Sequence, residues 1–309
     1  MPIVETDIPI TSQRCQEMLR QIVSRYPFCR SEVIATTAFQ RPISSLVIGN
    51  GSRKVIYSAA HHANEWITSL VLLKYAEDLA DAIAQGGDIF GIPAQQIADT
   101  ATIYMVPMVD PDGVDLVTGA IEPGSFPYEE ARRLAENYPD IPFPEGWKAN
   151  LLGVDLNLNY PAGWLMAREI KFSQGFTQPG PRDYVGRAPL GQLESRAMAG
   201  YTEYVDPELV LAYHSQGNVI YWQFMDYEVP GAEALAQDFA AVSGYAVADV
   251  PYASGFAGYK DWFIQEFMRP GYTIEVGMGE NPLPLSQFDQ IYEDNIGILT
   301  LAALGGRRR

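Results

Sequence analysis

The 309-residue chain is 47% apolar with a formal charge of −17 and a pI near 4.5. That content supports a well-buried core, in one large α/β domain or two smaller ones, and the acidity argues against nucleic acid or an anionic membrane surface as partner, since both would repel it. Two cysteines, Cys15 and Cys29, are too few for a disulfide scaffold and too poorly grouped for a structural zinc site, so ordinary thiols are expected.

In chain order, the N-terminus Met1-Pro-Ile-Val-Glu-Thr-Asp-Ile-Pro9 has no basic or apolar leader region, and no apolar run approaches the roughly 20 residues that span a bilayer. A soluble, cytoplasmic protein is expected. Thr11 to Tyr26 reads as a helix with Met18, Leu19, Ile22 and Val23 as its apolar positions. Ser44 to Ile48 and Lys54 to Ala60 read as strands around the turn Gly49-Asn-Gly-Ser52. Residues 64 to 85 form a strong helical pattern that stops at Gly86-Gly87. Strand patterns recur at Thr102 to Pro107, Leu209 to His214, Val219 to Gln223 and Tyr272 to Val276, and helical patterns near 190–204, 231–243 and 285–303. Strands alternating with helices imply an α/β sheet covered on both faces. Gly119 to Trp147, rich in Pro, Gly and acidic residues, reads as a long surface excursion of the kind that shapes a site. No repeat or linker divides the chain, so residues 1–309 are expected to form one domain, with Arg307-Arg-Arg309 as a solvated tail.

The chain has three histidines, His61, His62 and His214, which limits the ways to build a histidine-containing metal site. In Ala59-Ala-His-His-Ala-Asn-Glu-Trp66, His62 and Glu65 lie three residues apart. On a helical first turn that spacing puts an imidazole and a carboxylate on one face, where they can share a metal. The pair alone is a weak signal, because a helix-start histidine followed by a solvated glutamate is common. His214 ends the strand Leu209-Val-Leu-Ala-Tyr-His214, and in open α/β sheets ligands collect at the carboxyl ends of strands. Two histidines and a glutamate leave the fourth zinc position open for water, which marks a catalytic site. His61 is expected to turn away into a hydrogen bond.

Several segments in order carry a resemblance to a known family. Gln40-Arg-Pro-Ile43, His62-Ala-Asn-Glu65-Trp66, Pro107-Met-Val-Asp-Pro-Asp-Gly113, Gly153-Val-Asp-Leu-Asn157-Leu-Asn159-Tyr, Tyr184-Val-Gly186-Arg-Ala-Pro189 with Glu194, His214-Ser215 and Tyr272-Thr-Ile-Glu275-Val-Gly277 together resemble the zinc carboxypeptidase family of metallopeptidases over most of the chain. The resemblance implies a single α/β domain with a mixed, about eight-stranded sheet sandwiched by helices. It implies one Zn2+ per chain on His62, Glu65 and His214, and Glu275 as the general base. Lys148, in Trp147-Lys-Ala-Asn150, stands where the family has an oxyanion-stabilising arginine, and a lysine there is a point charge rather than a fork. Asp155 is a candidate to orient a zinc-bound histidine. Asn157 and Asn159 fall in the motif that binds the substrate's terminal carboxylate, and Asp110 replaces the usual asparagine of its turn.

Leu158 is the largest departure, because ordinary carboxypeptidases carry there the arginine that grips a C-terminal carboxylate. The segments Gly153 to Ala162, Trp147 to Asn150 and Pro179 to Tyr184 look instead like the bacterial branch that hydrolyses γ-D-glutamyl-diaminopimelate bonds in cell-wall peptides. Meso-diaminopimelate carries two carboxylates and a distal amine, so its pocket needs cations and polar groups. Lys260 resembles the position that sets side-chain specificity, Arg182 is a second cation, and Tyr252 resembles a mobile capping tyrosine. The partner expected is thus a small muropeptide, with oligomeric state left open. A general zinc metallocarboxypeptidase, a related zinc deacylase and a non-catalytic binder of cell-wall peptides are the competing readings.

Overall fold

The computed structural model describes residues 2–306; the Arg307-Arg-Arg309 tail lies outside the described residues. Helix α1 (Ser12–Arg25) starts at Thr11, whose side chain accepts from the Arg14 N–H, and buries Met18, Leu19 and Ile22. Strands β1 (Arg30–Thr36), β2 (Pro42–Ile48) and β3 (Arg53–Ser58) follow. Helix α2 (Ile67–Gln85) ends on Gly86 in the left-handed conformation, as a glycine C-cap allows. A two-stranded piece, β4 (Asp88–Ile89) and β5 (Ile92–Pro93), leads through α3 (Ala94–Thr100) to β6 (Ala101–Val106). Helices α4 (Pro111–Val117), α5 (Phe126–Ala135), α6 (Trp164–Ser173) and α7 (Leu193–Val205) come next. The chain closes with β7 (Leu209–His214), β8 (Val219–Tyr221), α8 (Ala232–Ser243), β9 (Ala246–Ala248), α9 (Tyr259–Phe267), β10 (Gly271–Glu275) and α10 (Phe288–Leu304).

The main sheet is mixed and eight-stranded, in the order β1-β2-β6-β3-β7-β10-β8-β9. Its centre, β6-β3-β7-β10, is parallel, so four carboxyl ends meet along one edge. One sequence expectation needs correcting: β2 and β3 flank a glycine turn but do not pair, because β6 lies between them, antiparallel to β2 and parallel to β3. The turn is pressed onto the α3–β6 junction rather than closing a hairpin. Asn50 and Gly51 donate their N–H groups to the Ala98 carbonyl, and a Cβ on Gly51 would fall 2.0 Å from the Thr100 carbonyl carbon. The Gly119 to Trp147 excursion also holds more order than a surface loop, since it contains α5 and ends on the fully buried Trp147.

Alternation along the strands decides which side chains reach the site. Val55, Tyr57, Leu209, Leu211, Tyr213, Tyr272 and Ile274 enter the core shared with α1, α2, α8 and α10. Ile56, Val210 and Ala212 enter the opposite core, with α6, α7 and α9. By the two-residue period of a strand, His214 and Glu275 belong to that second face, and the register pairs them directly across β7 and β10. Cys15 and Cys29 are both free and buried.

Below this edge, α4 packs against the turn that carries Glu65. Gly113 makes that approach possible, because a Cβ there would lie 2.7 Å from the Ala63 Cβ. Arg41 holds α4 in place, pairing with Asp112 at 3.0 Å and Asp115 at 2.5 Å; Asp115 also accepts from the Ser12 N–H and hydroxyl. Both carboxylates are buried, so removing the cation strands two charges. Arg41→Met should lower unfolding free energy by about 3 kcal/mol in urea titration; a loss below about 0.5 kcal/mol would show that the network does not hold α4.

Candidate metal centre and the cavities beside it

His62 caps a short 3₁₀ turn, Ala63–Glu65, that follows β3, and this turn delivers its side chain and that of Glu65 to one point. The His62 Nδ1 lies 2.9 Å from Glu65 Oε1 and 3.0 Å from His214 Nδ1, and His214 Nδ1 lies 2.9 Å from Glu65 Oε2. One ligand atom from each residue falls within 4.8 Å of the others, and all three residues are buried. A tetrahedral zinc with bonds of about 2.0–2.1 Å sets its ligand atoms a little over 3 Å apart, so the spacing fits such an ion. Two facing imidazole nitrogens and a carboxylate are a set of lone pairs that a cation resolves.

The neighbouring groups arrange the charge. Asp155 Oδ1 lies 3.1 Å from His62 Nε2, which fixes the ring and leaves Nδ1 facing inward. Lys148 Nζ lies 3.4 Å from Glu65 Oε1, and the Ser215 N–H donates to Glu65 Oε2. Burial opposes ionisation of Glu65, but His62 and Lys148 outweigh it and hold its pKa well below the usual carboxylate range. Burial likewise opposes charge on Lys148, yet Glu65 and Asp155 keep its pKa raised. Glu275 goes the other way, pushed up to about 8 by burial and by the Glu65 charge. His61 turns away, its Nε2 3.2 Å from the Tyr160 hydroxyl.

A cavity of about 220 Å³ opens beside His62, and Lys148, Asn157, Leu158, Arg182, Lys260 and Glu275 all line it. A second cavity of about 620 Å³ adjoins it, and the 119–147 excursion contributes Asp140 and Glu145 to its wall. Two expected substrate contacts are not brought to these cavities. Asn159 is fully buried; its amide donates to the Val185 and Ala188 carbonyls and its oxygen accepts from Gln192 N and Ser195 Oγ. Tyr252 stands 69% exposed with its ring against Phe256, while its neighbours Pro251 and Ser254 reach the smaller cavity. Sequence reasoning missed Lys171, a buried cavity residue paired with Asp183 at 2.6 Å. Its signal was a lysine on the buried face that Trp164 and Ala167 define in α6.

Comparison with known proteins identifies the family and the fold. The family model described as zinc carboxypeptidase matches residues 15–297. The chain is 41% identical over 280 residues to γ-D-glutamyl-L-diamino acid endopeptidase 1 of Lysinibacillus sphaericus, covering 91% of this chain and 68% of that protein. The carboxypeptidase A of Helicoverpa armigera superposes with a TM-score of 0.71 at 18% identity, over 97% of this chain and 75% of that one. The murein-tripeptide amidase MpaA of Escherichia coli O157 gives 0.55 at 17% identity, over 87% and 91%; at such identities these two establish the fold.

Two further acids, Asp110 and Glu194, are buried. Asp110 has one oxygen on the Gly113 N–H and the other without a partner; burial first, and Glu194 second, raise its pKa well above the usual carboxylate range. Glu194 is pushed up to about 7, chiefly by burial. A raised acid stabilises the fold below its unfolded pKa, and that stability is lost as pH climbs through the folded value. Between about pH 4.5 and 7 the native protein should therefore lose on the order of 3 kcal/mol through Glu194. Urea unfolding at pH 5 and pH 8 should show Glu194→Gln gaining on the parent at pH 8; an unchanged difference between the two pH values would exclude this titration.

Proposed function

The chain belongs to the zinc carboxypeptidase family and is a zinc metallopeptidase; from that premise we propose that it cleaves the amide between a γ-linked D-glutamyl residue and a diamino acid in cell-wall peptides. The observation that carries this reading is the make-up of the cavity beside the metal ligands. Leu158 occupies its wall, while Lys171 and Lys260 bring positive charge to it and Arg182 stands at its border with the larger cavity. A single fork for one terminal carboxylate is replaced by several cations, as a residue bearing two carboxylates requires. Lys260 is paired with Asp261 at 2.5 Å, so the cavity offers an anion and a cation together to a distal amine and carboxylate. The substrate named for the Lysinibacillus relative has this chemistry.

His62, Glu65 and His214 are the residues to hold zinc, which when bound acidifies water and polarises the scissile carbonyl. Glu275 takes a proton from the attacking water and delivers it to the departing amine, a task that suits a carboxyl whose pKa burial has lifted toward neutrality. Lys148 lines the same cavity and places its charge against the oxyanion as the carbonyl is attacked. Asp155 keeps the His62 ring oriented throughout.

L-Ala-γ-D-Glu-meso-diaminopimelate should be split between glutamate and diaminopimelate. A chelator should abolish that activity and added zinc restore it. Glu275→Gln should lower kcat by about 10³-fold with KM little changed. Release of C-terminal residues from ordinary peptides, with the cell-wall peptide left intact, would overturn the reading in favour of a general carboxypeptidase.

A further inference from the structure

We propose that Arg182 reads the free α-carboxylate of the γ-linked glutamyl residue, and is thereby the group that distinguishes a γ-glutamyl amide from an ordinary peptide bond; this rests on the substrate reading above. In a γ-linked residue the scissile carbonyl comes from the side chain. The α-carboxylate therefore remains ionised on the acyl side, a short carbon chain away from the reacting carbon. An α-linked peptide presents a neutral amide in its main chain instead. A site that selects the γ linkage needs a cation on the acyl side of the metal, close to the cleavage point.

Three residues line both cavities and so mark the boundary between them: Lys148, Arg182 and Glu275. Lys148 faces Glu65, and Glu275 is a carboxyl. Lys171 and Lys260 border only the smaller cavity, which the substrate reading above gives to the leaving diamino acid. Arg182 is the remaining cation. The larger cavity is otherwise acidic at Asp140, Glu145 and Glu280, and among the described residues Lys148 and Arg182 are its only lysine or arginine. A substrate carboxylate entering it finds attraction at the boundary and repulsion elsewhere.

The guanidinium is also held ready. Its Nε donates to Asp183 Oδ2 at 2.6 Å, and among the described residues no other hydrogen bond to it is recorded, which leaves the terminal fork for a carboxylate. Asp183 is itself fastened, accepting from Lys171 at 2.6 Å and donating its N–H to Asp155. The preceding Pro181 carbonyl accepts the N–H groups of Lys148 and Ala149 at 2.7 and 2.8 Å. Arg182 is thus tied to the segment that bears the other boundary cation, and its side chain remains 44% exposed toward the cavities.

The test compares L-Ala-γ-D-Glu-meso-diaminopimelate with its counterpart in which the glutamyl α-carboxylate is a carboxamide. The zinc-loaded wild-type protein should prefer the free acid by about tenfold or more in kcat/KM. Arg182→Gln should lose about tenfold on the acid, through KM, and change the amide by less than about twofold. Arg182→Lys, which keeps the charge without the fork, should fall between. Equal slowing of both substrates by Arg182→Gln would overturn the assignment, as would a wild-type protein indifferent to the amide, a measurement that needs no variant. Failure of the wild-type protein to cleave either peptide would instead sink the substrate reading on which the assignment stands.

Discussion

Glu65 is a carboxylate with 1% of its surface exposed, and much of the architecture at the carboxyl edge of the sheet answers what such a charge needs. An isolated buried carboxylate is too costly to keep ionised. Its compensation comes from four directions: His62 from the same turn, His214 and the Ser215 N–H from the end of β7, and Lys148 from the segment after the long excursion. These parts are distant in sequence, so Glu65 is satisfied only when β3, β7 and the 148 segment are all in place. The two imidazoles it gathers face each other at 3.0 Å, an arrangement with too little positive charge at its centre until a cation is added. The same constraint that assembles the edge therefore brings together three groups able to hold a metal.

How far the sequence reveals this depends on what each residue's role rests upon. The candidate metal ligands are legible because histidine is scarce and because a strand end is a definite place; the register that pairs His214 with Glu275 follows from alternation once both strands are seen. The β2–β3 relation is not legible, since a glycine turn looks the same whether the strands meet or a third slides between them. Asn157 and Asn159 share one motif but divide its labour. The 3₁₀ turn Leu156–Leu158 leaves Asn157 at the cavity and sends Asn159 inward to bind three loop backbone groups and the Ser195 hydroxyl of α7. A motif fixes neighbourhood, while side-chain direction is set by the local turn. Lys171 escaped because α6 itself was not foreseen, and without the helix its place on a buried face has no meaning.

Charge is sorted by depth in this molecule. The whole chain is strongly acidic, yet the cavity walls hold cations, each paired with a carboxylate: Lys148 with Glu65, Lys171 and Arg182 sharing Asp183, Lys260 with Asp261. Burial alone would press Lys148 to shed its proton, but Glu65 and Asp155 keep its pKa raised. The acidic exterior raises solubility and repels polyanions, while the paired interior keeps positive ends available to a small anionic peptide that enters far enough to be desolvated.

Leu158 acquires its meaning in that setting. An arginine at the same wall would bring a further fixed positive charge into a cavity already bordered by Lys171, Arg182 and Lys260, and like charges drawn together in a low-dielectric space destabilise one another. An apolar side chain leaves the existing cations undisturbed and excludes water from the wall, which strengthens each remaining pair. Recognition then depends on where several carboxylates stand relative to one another, a pattern a single fork cannot read. The loss of one strong contact and the gain of a spatially distributed set are two aspects of one change in the electrostatics of the cavity.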